Sequence, residues 1–146
     1  MKVRSLIVAA SATVVLGGAG AVVVPAVASA HTTTHTLTFI SVQKAMVFFS
    51  KTTFGEQDTD VNAKGKTVGY DMIYGTATSA TSANVNITGD TNGGFLYGTG
   101  TVNLKTGAFS KGKVTGGTGS FKGATGTIKA KAISATETAV TITYTT

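Results

Sequence analysis

Cysteine and tryptophan are absent from this 146-residue chain, and proline and arginine occur once each, at Pro25 and Arg4. Without cysteine there is no disulfide framework, so an apolar core must hold the fold. Nor is there a thiolate nucleophile, or an anchor for N-terminal lipid. With its single arginine near the N-terminus, the rest of the chain lacks the bidentate fork that reads phosphate or guanine. Only 12% of residues are charged, and the lysines are scattered, so no nucleic-acid partner is expected. His31 and His35 are the only histidines, too few to build a tight zinc site without cysteine. They also leave a serine nucleophile without a plausible histidine partner. No metal and no cofactor are expected.

The N-terminus reads as a secretory signal peptide. Lys2 and Arg4 form a basic start, Leu6 to Val24 is apolar, and Ala28-Ser29-Ala30 offers small residues for cleavage. The expectation is a signal peptide over residues 1–30 and one domain over 31–146, secreted and extracellular, with no membrane contact after cleavage. That domain carries ten lysines against six carboxylates.

The remainder is rich in threonine, valine, isoleucine, aromatics and glycine, and no stretch holds apolar residues at helical spacing. The composition predicts an all-β domain. Strands are expected at His35–Gln43, Lys44–Ser50, Lys66–Gly75, Ser82–Thr88, Phe95–Leu104, Ala108–Gly116, Gly126–Ser134 and Thr138–Thr145. Eight strands with short connections fit a closed antiparallel barrel, which would leave no edges to protect. An open sandwich is the alternative.

Two glycine-bearing segments invite a phosphate-loop reading, and both fail it. Asp60–Thr67 ends in Gly65-Lys66-Thr67 but opens on an aspartate, and a strand pattern follows where a helix is needed. Gly116–Gly123 lacks the dinucleotide spacing and also runs into a strand. Its glycines are expected to turn and kink backbone.

The segment Val114–Ile133, VTGGTGSFKGATGTIKAKAI, resembles the signature of plant dirigent proteins and allene oxide cyclases. Lys64–Gly75, Gly93–Leu104 and Thr141–Thr145 are similar to other strands of that family, in the same order. The resemblance covers nearly all of residues 31–146 and is nearest to secreted bacterial proteins with allene-oxide-cyclase-like barrels. It implies an eight-stranded, calycin-like antiparallel barrel. It also implies confinement of a small hydrophobic molecule, with cyclisation or isomerisation that needs no cofactor. Dimers and trimers occur among such relatives, so a homo-oligomer is one expectation. The alternatives are a non-catalytic carrier of a hydrophobic ligand, or a structural barrel with a filled interior.

Six carboxylates make the candidate list short. In Phe54–Asp60, FGEQDTD, the acids Glu56, Asp58 and Asp60 alternate and would share one face of an extended chain. Asp58 and Asp60 align best with the acidic pair of allene oxide cyclases, although the arginines flanking that pair have no counterpart here. Asp71 lies within an otherwise apolar strand; if its face points inward, burial should raise its pKa and make it a proton donor. Asp71, Asp58 and Glu56 are therefore the candidate catalytic residues, and Tyr70, Tyr74, Tyr97 and Phe95 the candidate substrate-binding ones. The bland readings are a solvated loop face or weak calcium ligands for the acids, and plain core for the aromatics.

Overall fold

Period-two alternation, β-branched residues and the lack of proline let almost every residue after Thr34 take extended backbone. The computed structural model describes residues 32–146; the signal-peptide reading of residues 1–30 lies outside them. Eight strands follow in order: β1 (Thr34–Phe48), β2 (Thr53–Val61), β3 (Thr67–Ser79), β4 (Ser82–Thr91), β5 (Gly94–Asn103), β6 (Phe109–Gly117), β7 (Thr125–Ala132) and β8 (Glu137–Thr145). Each pairs antiparallel with the next, and β8 returns to β1, with Leu37 opposite Ile142. The sheet is a closed barrel with no free edge.

The expected count of eight holds because two errors cancel. His35–Gln43 and Lys44–Ser50 are one strand, not two. Its register slips between Gln43 and Ala45, so Lys44 is a bulge that exchanges the inward and outward residues. That broken alternation is what mimics a strand boundary. The missing strand is β2, which contains the acidic stretch and has too few apolar residues to announce itself.

The glycine-rich segment turns backbone, as expected, and does something further. After β6 the chain forms a single 3-10 turn, Gly119–Phe121. Gly119 sits at φ +57° against the Gly93 carbonyl, where a side chain would collide with backbone. This turn folds Phe121 into the end of the barrel, 5% exposed and edge-on to Tyr144 at 5.4 Å between ring centroids. Leu96, Val114, Ala124, Ile128 and Ile142 complete that apolar plug. A second apolar cluster, Phe54, Ala83 and Val85, lies further along the barrel.

The other phosphate-loop candidate is the β2–β3 connection. Asn62 Oδ1 accepts the backbone N–H groups of Lys64 (2.9 Å) and Lys66 (3.1 Å), and β3 starts at Thr67. Among the described residues each loop leads into a strand, β3 or β7, and not into an α-helix.

Candidate functional site

Between the plug and the opposite end lies a cavity of about 570 Å³. The reading of a filled interior is therefore corrected: apart from the plug, open space remains inside the barrel. Small residues on β4, β5 and β7, among them Gly89, Gly98 and Ala130, line the space. Met46, Leu104, Thr106, Ser134 and Thr136 form a rim from the β1–β2, β5–β6 and β7–β8 ends. Most of the wall is apolar, including Phe39, Ile73, Val85, Ile87, Leu96 and Val140.

One side is not apolar. Strand alternation in β2 turns Glu56, Asp58 and Asp60 inward, and the Asp58–Asp71 pairing of β2 with β3 adds Asp71 to the same wall. Asp58, Asp60 and Asp71 are 5%, 2% and 6% exposed. Gly69 makes room for this group: a β-carbon there would press on the Asp90 carbonyl at 2.5 Å and approach Asp60 Oδ2 at 3.3 Å.

Hydrogen bonds within the wall run through β1. Ser41 Oγ lies 2.6 Å from Asp58 Oδ2 and 3.1 Å from Asp71 Oδ2. A hydroxyl carries one proton, so Ser41 can fully satisfy only one of the two carboxylates at a time. Gln43 Nε2 donates to Glu56 Oε1 at 3.0 Å. One oxygen each of Asp58, Asp60 and Asp71 (Oδ1 in every case) is buried with no hydrogen-bond partner.

Burial without cations decides the protonation. Desolvation pushes the Asp60 carboxyl up to about 8, with the nearby Asp71 charge adding to it. Glu56 is pushed up to about 7 by desolvation and by Asp58 and Asp71. Asp71 is pushed up to about 6 by desolvation and the Asp58 charge, partly offset by hydrogen bonds from Asp60 and Ser41. Asp58 is raised by desolvation and held down by bonds from Ser41 and Glu56. Each strongly raised acid faces a neighbour able to take its proton, Glu56 facing Asp58 and Asp60 facing Asp71. Near neutral pH such a wall contains both proton donors and proton acceptors.

All ten described lysines are exposed, and none lines the cavity. Among the described residues no three acids or histidines are arranged to hold a metal ion.

The structure thus brings Asp71, Asp58 and Glu56 together at one wall of one cavity. It separates the aromatic candidates from them. Tyr70, Tyr74 and Phe95 are 51%, 47% and 43% exposed, on the outer face of the barrel, so they cannot line the interior. Tyr97 reaches the cavity wall but is 38% exposed, because its neighbours Leu96 and Gly98 take the inward positions. The reason is β3 itself: with Asp71 inward, alternation forces Tyr70 and Met72 outward. Sequence reasoning left Asp60, Ser41 and Gln43 out of the site. The even spacing of Glu56, Asp58 and Asp60 carried the signal for Asp60, whereas nothing distinguished Ser41 in a chain full of hydroxyls.

No known protein family matches the chain by sequence, and no curated protein does. Among solved structures, a pyocyanin demethylase is similar in fold, with a TM-score of 0.63 at 17% identity, covering 75% of this chain and 99% of that one. At that identity the likeness is one of fold, an eight-stranded barrel.

Proposed function

We propose that this barrel takes a small, mostly apolar molecule into its cavity and isomerises or cyclises it by proton transfer, without a cofactor. The observation that carries the reading is the carboxyl wall itself: four acids gathered on one side of a largely apolar space of about 570 Å³. That volume is within the range of small-molecule sites. A protonated Asp60 or Glu56 gives a proton to one atom of the substrate. An ionised Asp58 or Asp71 takes one from another, and the pairs then exchange the proton between them. The substrate's composition and oxidation state are unchanged, so no second reactant is consumed. The resemblance to allene oxide cyclases and dirigent proteins, which work by confinement, supports the reading. So does the likeness to a barrel whose name describes chemistry on a small molecule. The signal-peptide pattern at residues 1–30 supports an activity outside the cell.

A carrier that binds and does not convert is the second reading, favoured by the largely apolar lining. Untargeted mass spectrometry separates the two. A lipophilic extract of the producing culture is incubated with the purified protein and, separately, with Asp71→Asn. The expected result is a compound that gains a new retention time at unchanged mass, with the wild type alone. A ligand that copurifies in native mass spectrometry but emerges unconverted assigns the carrier role. Neither binding nor conversion removes both readings.

A further inference from the structure

The charge inside the cavity is of one sign. Among the described residues its lining contains Glu56, Asp58, Asp60 and Asp71, and no lysine, arginine or histidine. Asp60 is 2% exposed, and apart from the Asp71 carboxyl no side chain is bonded to its own; Oδ1 of Asp58, Asp60 and Asp71 has no N–H or hydroxyl partner. Charges taken out of water are ordinarily met by an opposite charge, and among the described residues no cation lines this wall. A carboxylate-bearing ligand would find no counter-charge at this wall. An ammonium would find up to four carboxyls, in a setting where opposite charges attract more strongly than in water.

We propose that the molecule this cavity accepts carries a basic or quaternised nitrogen, seated against Asp58, Asp60 and Asp71 with its hydrocarbon part against Phe39, Ile73, Ile87 and Leu96. The inference rests on the ligand-binding reading above and names its chemical class. A neutral amine entering the site takes the proton from the Asp60 carboxyl, becoming an ammonium beside a carboxylate. A permanent cation instead sends that proton to solvent. The exterior works against any trivial explanation: its ten exposed lysines would attract anions and repel cations.

Three probes of one skeleton test this: 1-naphthylmethylamine, 1-naphthylmethanol and 1-naphthylacetate, titrated at pH 7.5 by calorimetry against residues 31–146. The expected order is the ammonium at least tenfold tighter than the alcohol, with the acetate weakest. Asp60→Asn should remove most of the ammonium's advantage and leave the alcohol's affinity in place, which also shows that the variant is folded. A trimethylammonium version of the probe should bind about tenfold more tightly at pH 8.5 than at pH 5.5, because the cation must displace a proton at the lower pH. The titratable groups lining the cavity are Glu56, Asp58 and Asp60 from β2, Asp71 from β3 and Tyr97 from β5; the polar groups of β1 there are Ser41 and Gln43. Equal binding of alcohol and ammonium would overturn the inference while keeping the ligand-binding reading. Tighter binding of the acetate would overturn it as well, and failure of all three probes would remove both.

Discussion

The plugged end and the acid wall of this barrel are built on opposite terms. At the plug, Phe121, Tyr144, Leu96, Val114, Ile128 and Ile142 pack side chain against side chain, each 8% exposed or less. At the wall, three aspartates are buried as deeply but leave an oxygen each without a partner. Burying a polar group without a hydrogen bond costs stability, so the wall draws on what the plug supplies. Local destabilisation maintained by good packing elsewhere is the usual mark of a working site. Each of the following experiments would sharpen this division or break it.

The largest effect should come from the plug. Phe121→Ala removes the aromatic that closes the barrel end, and truncations of buried phenylalanine cost about 3–5 kcal/mol. Thermal and urea unfolding of residues 31–146 measure it. A loss below about 1 kcal/mol would mean that the barrel does not depend on its sealed end, and the contrast would collapse.

Next is the response to pH. The folded chain keeps protons on Asp71, Glu56 and Asp60 that the unfolded chain releases near pH 4. Their contribution is complete below that pH and drains away as pH rises through about 6, 7 and 8 for the three groups. The melting temperature should therefore fall between pH 5 and pH 9. A melting temperature that rises over this range would contradict the protonated wall.

A smaller and more specific effect is expected from Asp60→Asn. The amide keeps the volume and the donor to Asp71 but cannot ionise. The variant should match the wild type near pH 5 and exceed it near pH 9, flattening the profile. Parallel profiles for the two proteins would show that the pH response lies elsewhere.

The two regions were not equally legible in the amino-acid sequence. The all-β class and barrel closure follow from strand number, turn residues and the absence of proline after Pro25, which are local signals. Phe121 was hidden because one aromatic among glycines has no period; its role depends on a 3-10 turn that brings it across the barrel end. At the wall, the spacing of Glu56, Asp58 and Asp60 fixes that they share a face, but not which face is inside. That choice is tertiary: β3 has Asp71 and Ile73 on one face and Tyr70, Met72 and Tyr74 on the other, and ordinary hydropathy favours the aromatic side as the interior. The cavity resolves it the other way, because four acids that share protons and a serine are tolerable together inside, and separately they would not be. Ser41 could not have been chosen from sequence, since its value comes from standing between β2 and β3 acids 17 and 30 residues away.

The inversion of β3 gives the smallest expected effect and a sharp one. Tyr70 and Tyr74 lie half-exposed on the outer surface, where replacements typically change stability by within about 0.5 kcal/mol. Tyr70→Ser and Tyr74→Ser should therefore melt with the wild type and bind the naphthylmethylammonium probe with unchanged affinity. Their side chains are separated from the cavity by the sheet itself, so contact with a ligand inside is geometrically closed to them. A tenfold loss of probe affinity in either variant, with stability intact, would move the binding site from the acid-walled interior to the aromatic exterior.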